Sequence, residues 1–509
     1  MPTLPAAAPA KAAETKNAGL RRSAVLGSAA ILVLSLAACA GATTAPVTPG
    51  QASPISAEDA KLGAEAHPQL VAEFGGAVTG PQADYVTQVG KNIAIQSGLG
   101  DARSAYTVTL LNSPVNNAFA IPGGYIYTTR ELVALMDNEA ELAGVLGHEV
   151  GHVAARHAQQ RQKAAQQNSI LGAVGAVLSG VLFGNSQIGQ LGQQIAMQGS
   201  QLLTLKYSRS QETQADDLGI AYLSNSGYDP RAMATVLQSL AAQNALDAKI
   251  LGSTSNQVPE WASTHPDPAS RVTRALQQAQ GKPGNVTNRD TFLTKISGMM
   301  YGDDPKQGVV DGNTFTHPVL GFQFKAPSGF FMVNGTRAVS ISGQSGRGQL
   351  TGAAYNGDMR TYIQNAFNAL TDGKQQITPS AIQTTTVNGL PASYATARVD
   401  TGNGQVDVTV FAYEFSKSQA FHFVTITQAG NAGVFNPMYQ SMRRISSAEA
   451  SAVKARKVVA YTVKSGDTVQ SLAARMAYPS YQLERFLVLN SLESNSTLQA
   501  GQKVKIVTY

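Results

Sequence analysis

His148 and His152 stand four residues apart in the stretch LAGVLGHEVGHVAAR (142–156), and Glu149 follows the first of them directly. Four residues along an α-helix put both imidazoles on one face, close enough to share a single ion. Glu149 lies one residue further round, where a carboxylate reaches a water at that ion without ligating the ion itself. Two imidazoles and a free carboxylate in this spacing are the parts of a metal-assisted hydrolysis. The alternative is a solvated polar face, and a third ligand decides between them, because a catalytic zinc site uses three protein ligands and keeps an open fourth position. The strongest candidate lies in YSRSQETQADDLGIAYL (207–223), where Glu212 and Asp216 are again four apart. Glu212 is the candidate third ligand. Asp216 is the candidate hydrogen-bond partner that fixes the tautomer and ring orientation of a ligating histidine.

These side chains need two helices to carry them. Asn138 and Glu141 have the spacing of an N-cap and its partner, so the first helix is expected to start near residue 138. Leu142, Val145, Leu146, Val150 and Val153 then recur at helical intervals, while Leu218, Ile220, Ala221 and Leu223 supply apolar positions on the second. Ahead of the first helix, NAFAIPGGYIYTTREL (117–132) alternates around a Pro-Gly-Gly turn and predicts two strands. An edge strand can hold an extended peptide by main-chain pairing, which makes Asn117, Ala118, Phe119, Gly123, Gly124, Tyr125 and Ile126 the candidate substrate contacts. His265, in STHPDPASR (263–271), has three possible roles: it reaches the open metal position and holds the site latent, stabilises an oxyanion, or caps the turn before Pro266. His157 is five beyond His152, off the ligand face, and is expected at the surface. The glycine-rich apolar run SILGAVGAVLSGVLFG (169–184) is short for a membrane span and is expected to form a flap over the cleft.

The hairpin block, HEVGH, SRSQETQAD (208–216) and STHPDPASR occur in that order, and together they resemble the HtpX-like and BepA-like zinc metallopeptidases, a gluzincin group, from about residue 60 to about 280. The resemblance implies a mainly α peptidase domain with a small edge sheet. It implies one zinc ion per chain on His148, His152 and Glu212, with Glu149 as the catalytic base. It also implies protein substrates, and a role in degrading misfolded or misassembled envelope proteins. Many relatives carry several membrane helices; the lack of such runs after residue 38 favours the soluble periplasmic branch.

The first 38 residues point the same way. Arg21 and Arg22 precede AVLGSAAILVLSLAA (24–38), an apolar run of 15 residues followed by Cys39, the one cysteine of the chain. A spanning helix needs about 20, so the run fits the core of a signal peptide better than an anchor. LAAC at its end resembles a bacterial lipoprotein processing site, which implies a lipidated Cys39. Ala40 in the next position favours the outer membrane, on its periplasmic face. Residues 39–57, rich in Pro, Thr and Ala, are expected to act as a flexible tether. Lys11, Lys16, Arg21 and Arg22 against Glu14 place half of the formal +6 in the leader, and what is left is too small to argue for nucleic acid.

At 509 residues the chain exceeds one hydrophobic core. After a linker (281–310), residues 311–445 alternate in several stretches and include a helical segment at 358–371, which predicts an α+β domain of unassigned role. A second linker (446–459) leads to YTVKSGDTVQSLAARM, LERFLVLNSL and LQAGQKVKIV within 460–509, which resemble a LysM module. That resemblance implies a small βααβ fold that grips peptidoglycan, with Gly466, Asp467, Thr468 and Asn490 as glycan-binding candidates. The whole is then multidomain: leader (1–38), tether, peptidase domain (58–280), α+β domain, LysM module. The rival readings are a non-catalytic periplasmic chaperone or assembly scaffold that keeps a structural metal, and a hydrolase of peptidoglycan peptides. Neither the natural substrate nor the oligomeric state is legible.

Overall fold

The computed structural model describes residues 47–99, 102–161, 207–250, 265, 268–370, 377–400 and 404–509. The leader, Cys39, the start of the tether and the expected flap at 169–184 lie outside these residues.

The N-terminal region is mainly helical. Its helices are α1 (Ala57–Glu73), α2 (Pro81–Ala94), α3 (Ala102–Ala105), α4 (Arg130–Leu135), α5 (Glu139–Ala154), α6 (Arg209–Asn225), α7 (Ala232–Ile250) and α8 (Pro268–Ala279). Strands β1 (Thr107–Leu111), β2 (Ala118–Ile121) and β3 (Tyr125–Thr129) form one small sheet in the order β1-β3-β2, which leaves β2 at the edge. The expected hairpin is therefore present, with β1 added parallel to β3. Helix α5 starts where its cap spacing places it, since Asn138 Oδ1 accepts from Glu141 N at 3.0 Å. Every residue of α5 except Val153 is buried, so this helix is the axis of the domain and presents no solvated face. Leu142, Leu146 and Val150 of α5 share one core with Val89 and Ile93 of α2, Leu218 of α6 and Leu237 of α7.

The end of the tether is not free. Ala52 N donates to Ser97 O at 2.9 Å, Arg156 Nη2 donates to Pro54 O at 2.9 Å, and Ile55 packs against the core. The expected linker at 281–310 is also largely structured. Helix α9 (Arg289–Ile296) buries Phe292 and Leu293, and β4 (Met299–Tyr301) pairs antiparallel with β16 (Arg456–Thr462) of the C-terminal module.

The middle domain is a sandwich. A seven-stranded antiparallel sheet runs β11-β12-β13-β14-β10-β9-β8, and a four-stranded sheet runs β15-β7-β6-β5. Here β5 is Val309–Asp311, β6 Thr314–His317, β7 Phe322–Lys325, β8 Phe330–Asn334, β9 Ala338–Gly343, β10 Gly346–Ala354, β11 Gln383–Val387, β12 Leu390–Asp400, β13 Gln405–Ser416, β14 Gln419–Gln428 and β15 Arg443–Arg444. The period of two decides which side chain meets which layer. On β13, Val406, Val408, Val410 and Ala412 face helix α10 (Met359–Ala369), while Phe411, Tyr413 and Phe415 face Phe322 and Phe324 of the smaller sheet.

The C-terminal module has the expected order of strand, two helices and strand: β16, α13 (Val469–Ala473), α14 (Gln482–Leu489) and β17 (Lys503–Thr508) (α11, Asn436–Ser441, and α12, Ser447–Ala452, precede it). The module is locked onto the N-terminal domain. Lys505, fully buried on β17, donates from Nζ to Ala134 O, Leu135 O and Met136 O at 3.0, 3.0 and 2.6 Å. The same ammonium lies 3.2 Å from Asp137 Oδ1. A cation on the carbonyls that end α4 satisfies groups with no partner inside the helix.

Candidate metal centre

Helices α5 and α6 cross closely because glycines line the contact. A methyl group on Gly151 would lie 3.2 Å from both Ala215 O and Leu218 Cβ, and one on Gly219 would lie 3.1 Å from His148 N. The close approach brings Glu212 and Asp216 of α6 to the histidines of α5. Ser208 caps α6 through a capping box with Gln211, which fixes where Glu212 falls in the first turn.

Four side chains converge there, all buried: His148, His152, Glu212 and His265. His148 Nε2 is 3.0 Å from His152 Nε2 and 3.6 Å from Glu212 Oε2, and His152 Nε2 is 3.5 Å from Glu212 Oε1. His265 Nδ1 is 3.3 Å from His148 Nε2 and 3.0 Å from Glu212 Oε1. Zinc bonds of about 2.0–2.1 Å in a tetrahedron require ligand atoms about 3.3–3.4 Å apart, so these separations fit the edges of a zinc coordination sphere. The donor set, nitrogen and carboxylate oxygen, is of the same kind. Both oxygens of Glu149, which is fully buried, lack a hydrogen-bond partner, and Oε1 lies 3.5 Å from His265 Nε2. A buried carboxylate without a donor marks a place where a further polar molecule belongs.

Each ligand is oriented from behind. His148 Nδ1 donates to Asp216 Oδ1 at 3.0 Å, which turns its Nε2 lone pair to the centre. Asp216 is held in turn by Arg271, through Nε at 2.8 Å and Nη2 at 2.5 Å, and the same guanidinium reaches Glu212 Oε2 at 2.6 Å. His152 is held by the residue that sequence reasoning put at the surface. Helix α5 ends at Ala154, Arg156 takes a left-handed φ of 54°, and the chain turns back so that His157 is buried behind His152. His157 Nε2 donates to Gln214 Oε1 at 3.0 Å, and its Nδ1 accepts from His152 Nδ1 at 2.8 Å. That relay leaves His152 Nε2 as a lone pair facing the site. Replacing His157 with Phe keeps the ring volume and removes the acceptor; zinc affinity is expected to fall about 10–100-fold, read by competition with a chromogenic chelator.

Burial pushes the Glu149 carboxyl up from the ordinary range, against the nearby His265 and His148. Burial alone would also raise Glu212, but His265, His152 and Arg271 together hold it well below the usual carboxylate range. One carboxylate is thus kept as an anion for a ligand role, and the other is made more basic. Burial lowers His152 well below its ordinary value, which keeps it neutral. Tyr207 stacks on the His152 ring with centroids 3.7 Å apart, under the Arg161 guanidinium, whereas Arg209 is exposed.

His265 also reaches the cluster. Its Nε2 donates to Ala118 O on the edge strand at 3.3 Å, which leaves Nδ1 as the fourth donor atom. Of the candidate substrate contacts, Ala118 meets His265 through its carbonyl, Gly123 lines the neighbouring groove, and Ile126 is buried in the main core. A groove along β2 runs from Gly123 to His152 and Tyr207, and Ser53, Pro54 and Ile55 form its far wall. Phe119 and Tyr125, by contrast, pack into a small core with Leu70 and Phe74. In the C-terminal module Asn490 is buried, and its amide is used by Phe486 O, Lys505 O and Lys505 N. Among the described residues the four-ligand cluster is the one group of metal-binding composition, so the middle domain adds none.

Comparison with known proteins agrees with this geometry. Residues 81–279 match the family described as Peptidase family M48, and residues 461–507 match the LysM domain. The chain is 33% identical over 227 residues to the beta-barrel assembly-enhancing protease of Yersinia pestis, covering 43% of this chain and 44% of that protein. It is 31% identical over 227 residues to the protein of the same name from Escherichia coli K12, covering 44% and 45%. The mitochondrial metalloendopeptidase OMA1 of Schizosaccharomyces pombe is 28% identical over 228 residues, covering 44% and 62%. The chain thus spans less than half the length of the two bacterial relatives.

Proposed function

We propose that this chain, in which an M48-family peptidase domain is joined to a C-terminal LysM domain, is a zinc-dependent endopeptidase of the bacterial envelope. The observation that carries the proposal is the meeting of four ligand side chains, their ligand atoms within 4.8 Å of one another, beside a buried carboxylate that has no hydrogen-bond donor. His148, His152 and Glu212 would hold the ion. Zinc, when bound, supplies a Lewis acid that polarises the scissile carbonyl and makes a water acidic. Glu149 takes the proton of the attacking water and delivers it to the leaving amine. Asp216 and His157 keep protons on the outer nitrogens of the two ligating imidazoles, so that neither ring flips during turnover. The edge of β2 pairs with the main chain of an extended substrate. His265 would fill the fourth donor position, and its contact with Ala118 O, one of the carbonyls that such a substrate would use, supports a latent resting form.

Misassembled envelope proteins are the proposed substrates, in line with the name that the bacterial relatives carry. The lipoprotein-like sequence at Cys39 supports a lipid anchor on the periplasmic face of the outer membrane, and the LysM domain supports a grip on peptidoglycan. No described helix is long and apolar enough to cross a membrane. The test is cleavage of casein by the purified chain. Activity lost to a chelator and restored by zinc is the expected result. Release of muropeptides from purified sacculi with casein left intact would replace this reading by the peptidoglycan hydrolase.

A further inference from the structure

We propose that the cleft between the LysM module and the peptidase domain is a composite saccharide site, with one wall from each domain. The inference rests on the reading of the module as a glycan binder and adds that the peptidase domain takes part in the binding. The cleft has a volume of about 830 Å³ and is lined from both sides. That lies within the range of about 300–1,000 Å³ usual for small-ligand sites.

Its walls are fixed. Ser239 Oγ on α7 meets Ser491 Oγ of the module at 3.0 Å, and Lys249 Nζ meets Glu484 Oε1 at 2.7 Å. The Lys505 clamp on α4 holds the same interface from below. A preformed cleft loses little freedom when a ligand enters.

The lining chemistry selects the ligand. Thr235, Gln238 and Ala242 lie on one face of α7 and are exposed, although the neighbouring Val236, Leu237 and Leu240 are buried. Opposite them, Ser491, Glu493 and Gln502 bring further donors and acceptors, and Leu276 and Leu492 add apolar surface. Arginine and carboxylate both line the cleft, Arg231 being paired with Asp229 at 2.7 Å. A mixed array of donors and acceptors with small apolar patches suits a neutral polyhydroxylated chain bearing amides better than a polyanion or a long apolar ligand. An N-acetylated hexosamine polymer is that chemistry.

The site is separate from the motif turn of the module. Gly466, Asp467 and Thr468 are not among the residues that line the cleft, and Asp467 Oδ2 is engaged within its own turn by Lys464 N at 2.7 Å and Tyr461 Oη at 3.0 Å. The cleft floor is Asp137, Asn138 and Glu141, the start of the metal-bearing helix. Ten residues of helix separate Asn138 from His148, so a bound glycan holds the metal centre about 15 Å away.

The test is calorimetric titration of the purified chain with the hexasaccharide of β-1,4-linked N-acetylglucosamine. Two variants change exposed positions of the peptidase wall alone: Arg231→Ala with Gln238→Ala, and Ala242→Trp, which fills the cleft. Each is expected to weaken binding about tenfold or more, with unchanged thermal unfolding. Parent affinity in both variants would overturn the composite site and leave the module as a glycan binder acting alone. No binding of the hexasaccharide or of sacculi by the parent would remove the glycan reading and the composite site together. Displacement of the hexasaccharide by a free stem peptide would overturn the saccharide assignment.

Discussion

Glu149→Gln is expected to retain one zinc ion per chain and to lose casein cleavage by about 10²–10⁴-fold, the share of a rate that general base catalysis supplies. The substitution is isosteric, so the packing around α5 does not change. Neither oxygen of Glu149 has a hydrogen-bond partner, so no hydrogen bond is lost with the charge, only the 3.5 Å ion pair to His265. The amide also cannot take a proton from water. A fall in zinc content would show that Glu149 is a ligand, and cleavage at the parent rate would remove it from the mechanism. Zinc content and cleavage must be read on the same preparation, because loss of metal alone would also abolish activity.

His265→Ala is expected to act in the opposite direction. It frees the fourth donor position and Ala118 O together, and cleavage should rise about tenfold or more, the gain from releasing a latch closed in over nine of ten molecules. Zinc should stay bound, since His148, His152 and Glu212 remain. A fall in kcat with zinc retained would instead assign His265 to oxyanion stabilisation, the second of the roles open to it in the sequence. Its block lies far along the chain from HEVGH, so the approach of Nδ1 to within 3.3 Å of His148 Nε2 is visible only in the fold.

What the sequence disclosed of the site is what one helix at a time discloses. His148 with His152, and Glu212 with Asp216, are pairs four apart, and helical geometry alone puts each pair on a common face. His157 was misplaced because Arg156 breaks the register: counted along an ideal helix it leaves the ligand face, but the left-handed residue folds it back behind His152. Arg271 left no local signal. It lies 55 residues from Asp216 and 59 from Glu212, and only the packing of α8 on α6 explains why a buried arginine is needed there. The docking of the C-terminal module was hidden for a similar reason. Lys505 sits in a strand among valines and an isoleucine, where a lysine ordinarily points to solvent, and nothing nearby in sequence announces the three carbonyls that it caps. The same holds for β4, three residues long and too short for its pattern to separate it from a linker. The alternation of β13, in contrast, was readable, because its two faces meet different layers and each needs apolar side chains.

Metal analysis of the purified chain by mass spectrometry, without added zinc, tests the central claim most directly. The proposed site predicts one zinc per chain, and Glu212→Ala should reduce it severely by removing the one ligand that α6 would provide. A chain that is folded, carries no zinc and takes up none on titration would contradict the account.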